Sequence, residues 1–260
     1  MSESMQGKVA LVTGGASGMG QIYARRLAAQ GATVAIFDLN EEGMAETAAT
    51  DNITAFRCDI SSQSDIQARI AEVEAALGPV DLLVHAAALM PAHALADHSV
   101  EKVEFLFQVN FFGTIYMIKT LLPKMMERDS GTMVLFGSIA GYAFVPKMGA
   151  YCATKAAVNT YVECLQNEIR ATSAVKIHLV CPPAVNTALI EQTISTDTPG
   201  SILQAQSSGR LADPEKMIDA IEKGLAKGKD VIYPGEARLL QIWKILFPKL
   251  WWKTVLQFEK

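Results

Sequence analysis

The sequence predicts a single-domain α/β fold in which helices cover both faces of a doubly wound parallel β-sheet. Short apolar segments alternate with longer amphipathic ones through most of the 260 residues. This alternation is typical of βαβ units, in which a helix connects each strand to the next parallel strand. Half of the residues are hydrophobic, which is enough for one substantial core. A glycine-rich turn at 13–20 separates the first strand from the first helix.

The predicted elements follow each other in a regular order. Gly31 ends the first helix, and Gly78-Pro79 ends the third. The segment 80–86 is almost continuously apolar, which is typical of a strand buried on both faces. Strands are predicted at 8–13, 32–37, 53–57, 80–86, 132–136, 175–181 and 230–233. Helices are predicted from the glycine turn to about residue 30, and at 41–49, 62–77, 100–127, 149–170 and 213–227.

Composition narrows the functional classes. A net charge of -4 gives no reason to expect nucleic-acid binding, which needs clustered Lys and Arg. We expect no signal peptide, because a polar start runs straight into the first strand. No uninterrupted run of about 18 apolar residues suggests an ordinary transmembrane helix. The four cysteines lack metal-ligand spacing, so we expect reduced thiols, no metal site and a cytoplasmic location.

The turn Thr13-Gly-Gly-Ala-Ser-Gly-Met-Gly20 is a candidate nucleotide site. Its glycines permit a tight turn and a close approach of backbone N–H groups to a pyrophosphate, and the following helix N-terminus favours negative charge. The alternative is a glycine-rich turn without a ligand, which its position directly after the first strand disfavours.

Two carboxylates follow the second and third strands. Asp38 can accept hydrogen bonds from both ribose hydroxyls of an adenosine and would repel a 2′-phosphate, which favours NAD over NADP. Its alternative role is a helix cap, but Asn40 is placed for that. Asp59 is interpreted either as a contact to the adenine edge or as a cap for the helix at Ser62.

Tyr151 and Lys155 lie four residues apart and therefore share one helix face. A phenol ionises near pH ~10, and a fixed ammonium nearby lowers that pKa. The Ser138 hydroxyl could hold a substrate oxygen beside the phenol. This spacing alone is weak evidence, because many surface helices contain it.

Taken together, the motifs resemble those of the classical short-chain dehydrogenase/reductase family over residues 7–235. They are T-G-x-x-x-G-x-G at 13–20, Asp59, Asn110 in V-N-F-F-G, Ser138 in G-S-I-A-G, and Y-x-x-x-K at 151–155. The resemblance implies a Rossmann fold and hydride transfer between a nicotinamide and a hydroxyl or carbonyl carbon. It also implies a homodimer or homotetramer, with helices 100–127 and 149–171 at the subunit interface.

The same resemblance assigns the site residues. Tyr151 is the expected general acid/base, Lys155 lowers its pKa and binds the nicotinamide ribose, Ser138 orients the substrate oxygen, and Asn110 supports a water relay. The expected cofactor contacts are Gly14, Ser17, Gly18, Met19, Gly20, Asp38, Leu39, Asp59, Ile60, Ala86, Ala87, Tyr151, Lys155, Pro182, Val185 and Thr187.

Two segments depart from the family pattern. His85-Ala-Ala-Ala88 stands where Asn-Asn-Ala-Gly is common, so the bracing Asn is absent and Ala88 adds a methyl group near the cofactor ribose. In Cys181-Pro-Pro-Ala-Val-Asn-Thr187, Pro183 replaces a usual Gly and fixes its own φ angle. We therefore expect the loop over the nicotinamide to follow a different path.

The expected substrate contacts are predominantly apolar and favour a lipophilic alcohol or ketone. The alternative is that these side chains are ordinary core or lid residues. A segment at about 184–212, irregular over 184–209, is the predicted lid. The candidates are Ser138, Met90, Leu95, Tyr142, Phe144, Val145, Met148, Leu189 and Ile190.

The catalytic domain is predicted to end at residue 235, and 236–260 form a hydrophobic extension that contains Trp and Lys. Pro248 is expected to divide it into two short helices. Trp and Lys beside an apolar face suit a membrane–water interface, so peripheral membrane contact is one interpretation. The other is that the extension packs on its own subunit or a neighbour.

The leading functional hypothesis is an NAD-dependent oxidoreductase that interconverts a secondary alcohol and a ketone on a lipophilic substrate, such as a steroid or terpenoid. One alternative is an NADP-dependent 3-oxoacyl or ketosphingoid reductase. The alternative from another class is a nucleotide-binding regulatory or scaffold protein without turnover.

Overall fold

The computed structural model describes residues 4–194 and 197–259. Three N-terminal residues of the predicted catalytic domain, residues 195–196 of the predicted lid, and residue 260 of the extension lie outside the described residues. Within this part of the chain, all strands are parallel and follow the order β3-β2-β1-β4-β5-β6-β7. They are β1 Val9–Thr13, β2 Thr33–Asp38, β3 Ile53–Arg57, β4 Leu82–His85, β5 Thr132–Phe136, β6 Lys176–Val180 and β7 Val231–Ile232.

Helices connect the strands and cover both faces of the sheet, so the predicted doubly wound α/β fold is confirmed. Asn40 caps its helix by accepting a hydrogen bond from the Gly43 N–H at 3.1 Å, as the sequence predicted. The helices are α1 Gly18–Ala29, α2 Glu41–Ala48, α3 Gln63–Leu77, α4 Val100–Phe107, α5 Gly113–Glu127, α6 Gly149–Ile169, α7 Ala188–Ile194, α8 Gly200–Ser207, α9 Pro214–Ala226, α10 Ala237–Leu246 and α11 Pro248–Gln257.

The core has two layers, one on each face of the sheet. Successive residues of a strand point to opposite faces. Leu11 accordingly packs in a cluster with side chains of α3, α5 and α6, whereas its neighbours Ala10 and Val12 pack with side chains of α1 and α9. Because both faces are covered, the central strands are apolar throughout rather than alternating.

Two predicted elements differ from the structure. The predicted irregular lid contains two short helices, α7 and α8, whose few residues give little periodic signal. The long helix predicted at 100–127 contains a π-helical segment, Gln108–Phe112, between α4 and α5. By length and composition, Val100–Glu127 is the one helix in the described residues that could span a membrane, but half of its most apolar window is buried within the fold. That burial is typical of a core helix.

The C-terminal extension forms the two helices that Pro248 was predicted to separate. Its inner face packs on its own chain, where Ala237, Trp251 and Val255 join Ile139 and Ala143 in one buried cluster. The outer face remains exposed and apolar. The packing interpretation of the extension therefore holds for its inner face.

Candidate active site

Two adjoining cavities lie at the carboxyl ends of the strands. They are close to the paired strands β1 and β4, from which the strand order runs outward in both directions. In open α/β sheets such a switch point is the usual position of a ligand. A groove of about 300 Å³ and a cavity of about 170 Å³ share Met19, Ala86, Ala88, Thr187 and Leu189 in their walls. The groove and the cavity are therefore parts of one site.

The groove contains the glycine-rich turn and most of the predicted cofactor residues. The predicted ones are Gly14, Ser17, Gly18, Met19, Gly20, Asp38, Leu39, Asp59, Ile60, Ala86, Ala87 and Thr187. The remaining predicted cofactor residues, Tyr151, Lys155, Pro182 and Val185, line the adjoining cavity together with Met19, Ala86 and Thr187.

Two glycines of the turn, Gly14 and Gly20, leave no space for a side chain at their own positions. Gly14 has φ +71°, and a Cβ there would lie 3.0 Å from the Ala87 backbone. A Cβ on Gly20 would lie 2.2 Å from the Gly14 carbonyl oxygen. Because the N-terminus of α1 adjoins this bare turn, the groove can bring backbone N–H groups against an anionic group. The residues present thus fit the pyrophosphate of a dinucleotide.

Asp38 lies at the end of β2 with its carboxylate bound to backbone. Oδ2 accepts from Ala16 N–H at 3.1 Å, and Oδ1 accepts from Leu39 N–H at 2.8 Å and Asn40 N–H at 3.0 Å. A carboxylate offers about four lone-pair positions, so this anchored group retains acceptor capacity toward the groove. Its position is compatible with binding a ribose hydroxyl.

Asp59 also lines the groove, and its side chain organises the turn after β3. Oδ1 accepts from the Ser61 N–H at 2.9 Å and the Ser61 hydroxyl at 2.7 Å. Ser62, not Asp59, caps α3 by accepting from the Asp65 N–H at 3.3 Å. The interpretation of Asp59 as the cap of α3 is therefore wrong, while its contact with the adenine edge stays a prediction.

Tyr151, Ser138 and Lys155 line the same cavity and are all buried. Burial raises the pKa of Tyr151 well above its ordinary value of 10.0, and hydrogen bonding with Ser138 lowers it in part. The Lys155 Nζ donates to the Phe136 carbonyl at 2.8 Å and lies 6.0 Å from the centre of the Tyr151 ring. In this arrangement the pKa of Tyr151 is therefore raised, contrary to the expected lowering by Lys155.

Burial also acts on the lysine itself. It lowers the pKa of Lys155 from 10.5 to about 8. Desolvation disfavours the charged form of both side chains. The Tyr151 phenol is therefore neutral, and the Lys155 ammonium beside it gives up its proton readily. The Tyr151 phenol can lose its proton near neutral pH only when another group stabilises the phenolate.

Asn110 lies in the π-helical segment, and its side chain fastens the loop that follows β4. Its Oδ1 accepts from Leu89 N–H at 2.8 Å, and its Nδ2 donates to Leu89 O at 2.8 Å and to Thr154 Oγ1 at 3.1 Å. π-Bulges often occur at functional sites. These contacts make Asn110 a positioning residue, and its predicted water relay to Lys155 stays a prediction.

Asn159, which none of the sequence motifs indicated, holds Ser138 in a similar way. Its Nδ2 donates to Ser138 O at 3.0 Å, and its Oδ1 accepts from Ser138 N–H at 3.3 Å. Asn159 lies one turn beyond Lys155, so Tyr151, Lys155 and Asn159 share a helix face. A polar residue continuing that i, i+4 series was the available signal.

His85 takes over the bracing that its sequence departure had left open. One ring nitrogen lies 2.8 Å from Thr13 Oγ1 on β1, and the other lies 3.1 Å from Thr114 Oγ1 on α5. Burial and the nearby Lys155 lower the pKa of His85 to about 3, so the imidazole is neutral. His85 therefore has a structural role.

The other residues that depart from the family pattern also line the site. Ala88 lines both the groove and the cavity, and Pro183 lines the cavity. Pro182 O accepts a hydrogen bond from Ile139 N–H at 3.1 Å, which ties this loop to the residue after Ser138.

Most of the predicted substrate contacts line the cavity, but Phe144 does not. The Phe144 ring is 37 % exposed and lies beneath the Lys244 ammonium, 5.1 Å from its centre. Leu95 is exposed, and Tyr142 donates to the Glu163 carboxylate, so neither of these lines the cavity. The predicted residues that do are Ser138, Met90, Val145, Met148, Leu189 and Ile190. The sequence could not show that the extension covers residues 142–144.

Comparison with known proteins identifies the family. The model of the short chain dehydrogenase family matches residues 8–198. The chain therefore belongs to the short-chain dehydrogenase family, as the motifs indicated, and it is an oxidoreductase by family.

Individual relatives resemble this chain over most of its length. Estradiol 17-beta-dehydrogenase 11 of Rattus norvegicus is 28% identical over 255 residues, covering 95% of this chain and 82% of that protein. 2-(S)-hydroxypropyl-CoM dehydrogenase 3 of Xanthobacter autotrophicus is 31% identical over 232 residues, covering 85% and 90%. A short-chain dehydrogenase/reductase of Burkholderia phymatum, solved in complex with NAD, superposes with a TM-score of 0.82 at 27% identity, covering 91% of this chain and 92% of that one.

Proposed function

We propose that this protein is an NAD-dependent oxidoreductase that interconverts a secondary alcohol and a ketone on a lipophilic molecule. One observation carries the proposal: a single cavity joins the Tyr151 phenol and the Ser138 hydroxyl to an apolar wall, and it opens into the groove that contains Asp38. An apolar pocket with a few convergent polar groups is the usual form of a small-molecule site.

In this proposal, bound NAD supplies the hydride acceptor, and the chain positions and deprotonates the alcohol. Ser138 would bind the substrate oxygen, and Tyr151, ionised to the phenolate, would take the hydroxyl proton as the carbinol carbon passes its hydride to the nicotinamide. Because burial raises the pKa of Tyr151, the phenolate needs stabilisation that Ser138 provides in part. Lys155, with its pKa lowered to about 8, then carries a proton that it can release toward solvent.

The preference for NAD rests on Asp38. Its carboxylate is held at the groove by backbone N–H groups and would repel a 2′-phosphate. The relative solved with NAD is consistent with this preference. An NADP-dependent 3-oxoacyl or ketosphingoid reductase would require a phosphate beside that carboxylate.

The apolar wall supports a lipophilic substrate. Met90, Val145, Met148, Leu189 and Ile190 surround the position where a carbinol would meet Tyr151. Lys147, a candidate partner for an anionic substrate, is already paired with Asp197 at 2.9 Å. The estradiol and hydroxypropyl-CoM dehydrogenases show that relatives are named for alcohol substrates of very different size.

A screen of secondary alcohols and ketones tests the proposal. We expect reduced nicotinamide to form from lipophilic secondary alcohols with NAD, at higher initial rates than with NADP. Higher rates with NADP and 3-oxoacyl thioesters would favour the reductase alternative. The absence of turnover with every pair, despite measurable NAD binding, would favour the regulatory or scaffold alternative.

We also propose a homodimer or homotetramer in the cytoplasm, assembled through the helices at 100–127 and 149–171. Val100, Phe105 and Phe112 are large apolar side chains that this chain leaves exposed on the first of them. Exposed apolar patches of this kind mark interaction sites. Sedimentation analysis of the purified protein checks the proposal, and a monomer at micromolar concentration would contradict it.

Peripheral contact with an anionic membrane is the proposed role of the extension's outer face. Between 237 and 258 the only charged residues are basic, which favours anionic lipid and disfavours self-pairing of the same face. Exposed apolar residues accompany them, namely Leu239, Ile242, Ile245, Leu246, Phe247, Leu250, Trp252, Leu256 and Phe258. Basic residues there are Arg238, Lys244, Lys249 and Lys253.

Vesicle sedimentation tests this contact. Ile245→Glu should lower binding to vesicles that contain phosphatidylserine, whereas Leu203→Glu, at an exposed apolar position on α8, should not. Equal binding of the wild-type protein and Ile245→Glu would remove the idea.

A further inference from the structure

The extension contributes two side chains to the wall of the candidate substrate cavity. Leu240 on α10 and Trp251 on α11 line the cavity that contains Tyr151 and Ser138. Trp251 is 5% exposed, whereas its neighbour Trp252 is 37% exposed and does not line the cavity. One of two adjacent tryptophans therefore points toward the site.

The Trp251 ring is fixed in place by contacts on two sides. Its indole Nε1 donates to the Phe144 carbonyl at 3.0 Å. The ring packs edge-on against Trp243 of α10, with centroids 5.3 Å apart and an interplanar angle of 79°. Such an edge-to-face arrangement is favourable for aromatic pairs. The indole is thus a rigid wall rather than a mobile surface group.

The end of the extension is fastened to the lid. The Glu259 Oε1 accepts from the Gly200 N–H at 2.7 Å, at the first residue of α8. Its Oε2 lies 3.7 Å from the Lys147 Nζ. These contacts join the end of the extension to α8 and to Lys147.

The packing between the lid and the extension is close at Gly200. A Cβ at this position would lie 1.6 Å from the Phe258 carbonyl oxygen, so a side chain there cannot coexist with the observed path of the extension. Ile202, on the same helix α8, lines the cavity. Lid and extension are therefore fitted to each other around the site.

We propose that Trp251 and Leu240 are specificity-determining residues that limit the length of the substrate. This inference rests on the proposed alcohol oxidation and deepens it. The indole lines the cavity but not the groove, so we expect a compact alcohol to fit beneath it and a longer alkyl chain to meet the ring. Residues of the extension, outside the region that matches the family model, would thus set the substrate range.

The test compares Trp251→Ala with Trp252→Ala over the homologous alcohols from 2-butanol to 2-dodecanol, with NAD. A difference of one methylene in an apolar pocket changes discrimination by roughly 10-fold or more. We therefore expect Trp251→Ala to raise the ratio of kcat/KM for long over short alcohols by at least about 10-fold, and Trp252→Ala to leave it within about 2-fold. An unchanged ratio in a folded Trp251→Ala protein overturns the proposal.

Two further measurements keep the result decisive. If Trp251→Ala does not fold, Leu240→Ala probes the same wall from α10 and should shift the ratio in the same direction; no shift there overturns the proposal. Calorimetric binding of the same alcohols, in the presence of NAD, separates the two claims. If Trp251→Ala changes how binding depends on alcohol length but no protein turns over, Trp251 is part of the wall and the proposed oxidation is refuted. If the alcohols turn over and the length dependence is unchanged in Trp251→Ala, the oxidation is supported and the role of Trp251 is refuted.

Discussion

Replacing Asn159 by alanine should release the backbone of Ser138 from α6 while leaving the Ser138 hydroxyl in the chain. The Asn159 side chain binds both the N–H and the C=O of Ser138, and it is fully enclosed by the fold. Asn159 does not line either cavity. Its loss therefore changes the position of a catalytic hydroxyl without removing a group that touches substrate.

The stability cost follows from the bonds that remain. The Ser138 carbonyl still accepts from Gly141 N–H at 3.1 Å, whereas the Ser138 N–H loses the partner it has in Asn159. The Cys181 thiol also loses Asn159 Oδ1 as its acceptor, at 3.7 Å. An orphaned buried donor costs about 1–3 kcal/mol, and a thiol is a weak donor that adds little to the cost of the backbone N–H. A domain stable by about 5–15 kcal/mol tolerates that loss and stays folded.

The catalytic cost is expected to be larger than the stability cost suggests. A displacement of about 1 Å of a positioning group can lower the rate by about 100-fold. We expect kcat for a lipophilic secondary alcohol to fall by about 10- to 100-fold, with an unchanged KM for NAD because the groove lies apart from Asn159. Urea unfolding and steady-state kinetics measure the two effects separately.

Asn167→Ala is the matched control on the same helix. Asn167 is exposed, and its Nδ2 donates only to the Glu163 carbonyl one turn earlier, at 2.8 Å. Its replacement should leave kcat unchanged. A folded Asn159→Ala protein that loses stability but keeps the wild-type kcat would refute the positioning argument.

Two further predictions concern charge. Asp38→Asn should raise the ratio of kcat/KM for NADP over NAD by at least about 10-fold, because the charge that repels a 2′-phosphate is gone. Initial rates with the two cofactors measure this ratio, and Asp51→Asn, outside the groove, is the control. An unchanged ratio in Asp38→Asn would speak against the role assigned to Asp38. Lys155 loses its proton at about pH 8 in the folded protein and near 10.5 when unfolded. The unfolded chain therefore binds more protons between these values, so the unfolding free energy should rise with pH across that window, relative to Lys155→Met, by on the order of 1–3 kcal/mol. Parallel curves for both proteins in urea titrations would contradict the lowered pKa.

The sequence predicted the strands well because buried parallel strands are apolar throughout. The bounds of the buried strand β5 match those expected from residues 132–136. The lid helices α7 and α8 escaped prediction because each has at most eight residues and little buried surface. Short helices depend on tertiary contacts more than on periodicity.

The site divides in the same way. The glycine turn, Asp38, Ser138 and Tyr151 carry signatures in their own spacing, and the structure brings them to one edge of the sheet. The roles of Asn159 and Trp251 depend on contacts between segments that are distant in sequence. The misplaced prediction for Phe144 has the same cause, because its surroundings are set by α10 and α11.

In the proposed reaction, the Tyr151 phenol exchanges the substrate proton during hydride transfer. Comparing Tyr151→Phe with Tyr161→Phe tests it most directly, since both tyrosines lie on α6 and only Tyr151 lines the cavity. For the best alcohol with NAD, we predict that Tyr151→Phe lowers kcat/KM by at least about 100-fold while NAD still binds, and that Tyr161→Phe stays near the wild-type value. Alcohol oxidation by Tyr151→Phe at the wild-type rate would contradict the account.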